Sequence, residues 1–333
     1  MSVELKVLGA RCNLKCGYCY EKAVRDSEIS KGYDLDAMLK RTEEIGRNFT
    51  VFGGEPLLVP FKDLERIFSF GFDKFKKNGI QTNGILINDA YMYLFKKYNV
   101  QVGFSIDGPG RLNAARTDLE HTKQSIDNLH RCLKENVSCS LITTMSTHNI
   151  KPEFIIWLSD LEDAGLRNVN VHLMMDGNYL DPDWEELKIF LGWLYDSAKH
   201  FTTLRIDTIE EMKTRFFTGA GGCCVWQGCD PYNTSAVQGI GAFGEMHNCG
   251  RLNKEGVDYI KADSRSSMRD DLLFNTPQES GGCQGCEYWH ACHGFCPGTG
   301  LSGDWRFRSN HCESLKLIFG WIEHDVWKVE VIE

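Results

Sequence analysis

No stretch of this 333-residue chain stays apolar for long. The longest runs, 150–158 and 315–322, are interrupted by polar residues and fall far short of the roughly 20 needed to span a bilayer. A surplus of positive charge is also missing. The net charge is −9, so phosphates of nucleic acid and anionic lipid do not find the excess of Lys and Arg that binding them requires. Met1-Ser2-Val3-Glu4-Leu5-Lys6 is not built like a signal peptide, because it reads as a strand with an acid in it. Repeats and low-complexity tracts are lacking. With 42% hydrophobic residues the chain can bury a large core, as one big domain or two ordinary ones, which excludes intrinsic disorder. These features lead us to expect a cytoplasmic protein.

Cysteine, in contrast, is abundant. Of 14 cysteines, three lie between 12 and 19, two at 132 and 139, and nine between 223 and 312. In a reducing compartment such clusters are more often metal ligands or redox centres than cystines.

The pattern of elements is α/β. β-branched runs at 3–8, 49–52, 79–82, 100–106, 138–144 and 168–173 predict strands. Amphipathic stretches at 35–45, 61–77, 89–98, 122–135 and 152–164 predict the crossover helices of a parallel sheet. Asp34 and Asn88 or Asp89 read as N-caps. Six such units in about 175 residues fit an open, partial (β/α)6 TIM-like barrel. A further helix over 183–200 has Asp181 and Pro182 at its cap and first position. Its Trp184, Leu187, Leu191 and Leu194 form a stripe read as core. After Phe217 the chain turns Cys- and Gly-rich until a last helix at 313–327. Loop-rich segments of this kind usually fold around metal. The expected organisation is a barrel over 1–215, a small Cys-rich domain over 216–312 and a C-terminal helix over 313–333.

Cys12-x3-Cys16-x2-Cys19 places three thiols in the loop after the first strand. A closed zinc ribbon would want a fourth Cys or His nearby, and none lies between 20 and 120. Three thiolates leave a position open, which favours iron–sulfur chemistry over zinc. The following strands run into Gly53-Gly54-Glu55-Pro56, Thr82-Asn83-Gly84 and Ser105-Ile106-Asp107-Gly108-Pro109. Each alone is a turn. Together they converge on the mouth at the C-terminal strand ends, where barrel enzymes assemble their sites. There glycines would let a ligand approach the backbone, Glu55 offers an acceptor for an ammonium group, and Asn83, Ser105 and Asp107 offer bonds to hydroxyls or a carboxylate.

With its CxxxCxxC loop and GGEP strand end, the sequence resembles the radical S-adenosylmethionine (SAM) superfamily. The resemblance implies that Cys12, Cys16 and Cys19 hold a [4Fe–4S] cluster whose fourth iron chelates SAM. One-electron cleavage would then give a 5′-deoxyadenosyl radical that abstracts hydrogen from a substrate. It implies further that Gly53, Gly54, Glu55 and Pro56 meet the methionyl ammonium, that Tyr18 meets the adenine through its backbone, and that Ser105 and Asp107, with Thr82 and Asn83 beside them, serve the ribose or carboxylate. The C-terminal spacing is similar to the SPASM extension of these enzymes, which houses two auxiliary [4Fe–4S] clusters. Carried over, Cys223, Cys229, Cys249 and Cys296 hold the first, and Cys283, Cys286, Cys292 and Cys312 the second. Cys224 is either a spare packed thiol or a hydrogen donor or substrate ligand. Cys132 and Cys139 read as core. His172 faces either the barrel mouth or the core, while His290, His293 and His311 read as packing or hydrogen bonding around the clusters.

Enzymes of this extended type mostly act on peptide or protein side chains, forming thioether or carbon–carbon cross-links in ribosomal peptides or formylglycine in sulfatases. The chain resembles sulfatase maturases most around 105–109, yet departs from them. Asn113-Ala114 replaces a His-Asp pair, and Gly250 stands where those enzymes place an acid directly after the cysteine that here is Cys249. Arg251 or Arg116 could instead grip a carboxylate. The expected function is therefore oxidative modification of a precursor peptide. Formylglycine formation or dehydrogenation of a small molecule is the alternative, and a non-catalytic Fe–S or zinc protein is the remote one. The resemblance also implies an external electron donor of flavodoxin or ferredoxin type. With no domain expected ahead of the barrel, peptide recognition falls to the mouth, the C-terminal domain or a separate leader-peptide-binding protein.

Overall fold

The computed structural model describes residues 2–27, 32–173, 180–221, 224–227, 229–231, 237–254 and 268–330. Nine strands form one sheet among them: β1 (Ser2–Leu5), β2 (Phe49–Val51), β3 (Asn78–Thr82), β4 (Val100–Ser105), β5 (Cys139–Thr144), β6 (Asn168–His172), β7 (Arg205–Ile206), β8 (Val237–Ile240) and β9 (Met246–His247). The order is β7-β6-β5-β4-β3-β2-β1-β8-β9, and every pairing is parallel except β8 with β9. The six expected strands are β1 to β6, each within three residues of its predicted end. Their parallel register, with Leu5 opposite Val51 and Ile80 opposite Val102, brings all their C-terminal ends to one side.

The helices are α1 (Lys22–Ser27), α2 (Leu35–Ile45), α3 (Phe61–Phe75), α4 (Asp89–Lys97), α5 (Leu119–Lys134), α6 (Pro152–Asp163), α7 (Trp184–Ala198), α8 (Asp207–Thr218), α9 (Gly250–Lys254), α10 (Met268–Asn275), α11 (Trp289–Cys292) and α12 (Cys312–Glu330). Asp34 caps α2 by accepting from the Ala37 amide at 3.0 Å, and Asn88 caps α4 by accepting from Ala90 and Tyr91. α5 begins three residues earlier than the pattern suggested, because Asp118 accepts from the His121 amide.

Helix α7 departs from its reading in two ways. Its cap is Asp183, which accepts from the Glu185 amide, so Asp181 and Pro182 lie before the helix. Its core stripe is Phe190, Leu191, Leu194 and Tyr195, while Trp184 is 39% exposed. Leu191 and Leu194 are buried and Leu187 packs against the core, as the stripe implied, so the inward face is the one expected and only Trp184, in the first turn beside the cap, lies outside it.

Two strands from the Cys-rich region complete the sheet. β8 pairs with β1 over Ser2–Val237 to Leu5–Ile240, so the C-terminal part extends the barrel sheet at its first strand. Position 215, the expected boundary, falls inside α8, and Arg215 there donates from Nε to the Ala291 carbonyl of α11 at 2.9 Å. α12 packs back through Phe319 against Phe216, and through Trp321 against Tyr195. Cys132 and Cys139 are buried as expected, with Cys132 Sγ 3.3 Å from Met92 Sδ.

Candidate active site

The six strand ends open into one cavity of about 600 Å³. It is lined by Cys12, Cys16 and Cys19 of the first loop, by Gly53 to Glu55, Thr82, Asn83 and Ser105 at the strand ends, and by Cys229, Cys249 and Cys296 of the C-terminal region.

The cysteine loop is built on backbone bonds. Gly17 donates to the Ala115 carbonyl and Cys19 to that of Cys16, while the Leu14 amide donates to Cys12 Sγ at 3.3 Å. Burial pushes the Cys12 thiol up to about 11, and burial also raises Cys16 and Cys19. Buried thiols become a set of thiolates only against added positive charge, which an iron cluster supplies, so the donors fit such a group. Among the described residues no three His, Cys, Asp or Glu side chains converge at the spacing of a single metal ion. A four-iron cluster takes its sulfurs at separate corners and does not ask for that convergence.

The Gly-Gly-Glu-Pro strand end serves the protein's own backbone as much as a ligand. Gly53 has φ 130°, and a Cβ on Gly54 would sit 2.1 Å from the Arg11 carbonyl oxygen. The bare backbones therefore meet: Gly54 donates to Gly9 (2.9 Å) and Glu55 to Arg11 (2.8 Å), locking this strand end to the cysteine loop. Glu55, buried, accepts from Thr82 Oγ1 (2.7 Å) and the Leu57 amide on one oxygen and from the Asn83 amide on the other. Burial raises its pKa while those three bonds pull it down. Pro56 opens a one-turn helix and is buried outside the cavity wall. Asn83 in turn donates from Nδ2 to Asn13 Oδ1, so the third strand end also grips the cysteine loop.

Asp107 stands behind the wall, not in it. It is fully buried, accepts from the Thr144 amide (2.8 Å) and the Tyr18 hydroxyl, and pairs with Arg116 Nε at 2.9 Å. Its carboxylate is thus occupied by protein groups, and Arg116, whose guanidinium lies 5.3 Å over the Tyr18 ring, is the charged side chain from this strand end that faces the cavity. Asn113, at the place of the absent His, accepts from the Asp107 amide and donates to Thr122. Ser105 lines the cavity and accepts from Gln81 Nε2 at 3.3 Å.

His172, at the end of β6, faces the cavity. Arg251 donates from Nη2 to its Nδ1 at 3.1 Å, and since a guanidinium only donates, the ring proton of His172 is on Nε2. Burial, with Arg251 and Arg116 adding to it, holds His172 down to about 3. His311 lines the same cavity. His290 packs on Phe216 and His293 lies 3.2 Å from Asp270, both away from the cavity. Cys283, Cys286, Cys292 and Cys312 line a second, small cavity together, where burial pushes Cys283 up to about 12. Cys223 lies outside the described residues, and Cys224 is described only as backbone at the start of a short 3-10 turn.

The sequence reading missed Lys6, Glu21 and Gln81. Lys6 carried a signal: a charged residue leaving an apolar strand, 5% exposed in the structure, implies a buried partner.

The family model of the radical SAM superfamily matches residues 7–158. These residues form a radical SAM domain. Such a domain implies one [4Fe–4S] cluster and SAM, and it contains Cys12, Cys16, Cys19 and the three strand-end motifs. The chain is 32% identical over 127 residues to a cysteine-type anaerobic sulfatase-maturating enzyme of Clostridium perfringens, covering 34% of this chain and 34% of that relative. It is similar in fold to native anSMEcpe with bound AdoMet and Cp18Cys peptide, with a TM-score of 0.74 at 18% identity over 100% of this chain and 99% of that one. Streptococcus suis SuiB bound to precursor peptide SuiA gives 0.62 at 16% identity over 93% and 75%. No helix among the described residues is long and apolar enough to cross a membrane.

Proposed function

We propose that the chain is a radical SAM enzyme that oxidatively modifies a side chain of a precursor peptide, with a C-terminal unit holding two auxiliary [4Fe–4S] clusters. The observation that carries this reading is that Cys12, Cys16 and Cys19 line the same cavity as Cys229, Cys249 and Cys296. A substrate between them would sit between a radical source and an electron acceptor.

When bound, the first cluster and SAM would supply the 5′-deoxyadenosyl radical. The protein's part is geometry. Cys12, Cys16 and Cys19 would hold that cluster in a loop fixed by Gly54, Glu55 and Asn83. Ser105 and Arg116 would face the polar end of SAM, and the buried Tyr18–Asp107–Arg116 set would keep that wall rigid and water out. Cys229, Cys249 and Cys296, with Cys223, would hold the first auxiliary cluster, and Cys283, Cys286, Cys292 and Cys312 the second. The peptide partner is supported by the peptides bound to anSMEcpe and SuiB. The likeness to the C. perfringens enzyme favours a second reading, formylglycine formation on a sulfatase, against which stands Gly250, where the resemblance to sulfatase maturases implies an acid.

Anaerobic reconstitution tests the reading: about 12 irons per chain are expected from three four-iron clusters. Dithionite with SAM should release 5′-deoxyadenosine, and alanine at Cys12, Cys16 and Cys19 should abolish it. Zinc in place of iron, or cleavage that survives the triple substitution, would sink the proposal. A short precursor peptide gaining a cross-link mass change selects the first reading, and conversion of a sulfatase cysteine or serine selects the second.

A further inference from the structure

Gly250 leaves no acid after Cys249, but the space is not empty. A Cβ built there would lie 2.5 Å from Glu21 Oε1, 2.7 Å from Lys6 Nζ and 2.8 Å from the Tyr20 ring. Glu21 comes from the N-terminal loop, two residues beyond Cys19, and lines the same cavity as Cys249. Its Oε1 accepts from Lys6 Nζ at 2.7 Å, with side chains 12% and 6% exposed. The Lys6 ammonium also rests 5.4 Å over the Phe52 ring, so it is held from two sides. Glu21 Oε2 makes no hydrogen bond to protein among the described residues and is not sealed from the cavity. A carboxylate held by one oxygen on a buried lysine, with the other oxygen open, is a fixed hydrogen-bond acceptor.

We propose that Glu21, anchored by Lys6, supplies a substrate-facing carboxylate to this cavity from the N-terminal loop, accepting an N–H, O–H or S–H of the peptide group to be oxidised. The identity of that ligand rests on the peptide-maturase reading; the shared space with position 250 does not. Lys6 is a positioning residue in this arrangement. The relocation also explains why a glycine follows Cys249, since any side chain there would collide with the Lys6–Glu21 pair.

Two measurements test it. In the first, Gly250→Asp should lower Tm by roughly 2–6 °C through overpacking, and Glu21→Ala/Gly250→Asp should regain most of that loss because the two side chains compete for one volume. A double variant no more stable than Gly250→Asp overturns the shared space. In the second, the reconstituted wild-type enzyme with SAM is treated with a water-soluble carbodiimide and glycinamide, and modified carboxylates are located by peptide mass mapping. Glu21 should be modified, while Glu55, whose two oxygens are taken up by Thr82, Leu57 and Asn83, should not. An unmodified Glu21 overturns the open, substrate-facing oxygen. Failure to release 5′-deoxyadenosine would count against the proposed function instead, and would leave the stability comparison standing.

Discussion

Glu162 shows how one side chain can tie two elements together. Its Oε1 accepts from the backbone amides of Thr203 (2.5 Å) and Leu204 (2.9 Å) and from the hydroxyls of Thr202 and Thr203, fastening the end of α6 to the approach to β7. These bonds, that of the Thr203 amide first, hold its pKa down to about 2 from the usual 4.5. A depressed carboxylate contributes stability above its unfolded pKa, and that contribution is lost as pH falls from about 4.5 toward 2. Glu162→Gln should therefore flatten the acid limb of a Tm-versus-pH curve while changing Tm least at pH 2 and below; a curve parallel to wild type would refute the assignment. Arg269 does comparable work inside the Cys-rich region. Fully buried, its guanidinium donates to the carbonyls of Trp305, Phe295, Gly294 and Phe307, and its amide donates to Asp230. Arg269→Met keeps the stem and leaves four carbonyls short of a donor, so a loss of several kcal/mol is expected in denaturant titration, together with lower iron content. Residues of this kind were invisible to sequence reading, because neither partner lies at a fixed spacing.

At the scale of elements, the strands and most helices were legible because alternation and capping are local. Asp34 and Asn88 cap where expected, and β1 to β6 follow their β-branched runs. The start of α7 was misread because Asp181 and Asp183 are both competent caps, while its inward Leu187, Leu191 and Leu194 follow the periodicity. The strand-end glycines carry a sharper lesson. Gly54 was read as room for a ligand, whereas the structure also shows a backbone-to-backbone joint between the strand end and the cysteine loop. Gly54→Ala puts a methyl 2.1 Å from the Arg11 carbonyl, where both partners are main chain and cannot rotate away. It should separate the two loops, lower Tm and remove about four irons per chain, those of the N-terminal cluster, as measured by iron assay after reconstitution. Full iron occupancy in that variant would show the joint to be dispensable.

For the molecule as a whole, the sheet runs through both parts of the chain. β8 supplies the parallel neighbour of β1, and α12 returns to cover α7 and α8. A fragment of residues 1–215 would leave β1 as an unpaired edge and truncate α8 before its end, so it should express as an aggregating, poorly helical species by circular dichroism. A soluble, cooperatively unfolding fragment would show that the barrel stands alone. The parallel α/β plan, the three-thiol loop with its strand-end companions and the Cys-rich tail are all legible before folding, because each is written in local spacing. Tertiary structure alone decided that Asp107 is an internal brace, that Cys229, Cys249 and Cys296 share a cavity with the first three cysteines, and that Glu21 occupies the volume missing at Gly250. Those facts depend on which distant backbones approach one another, and chain spacing does not encode that.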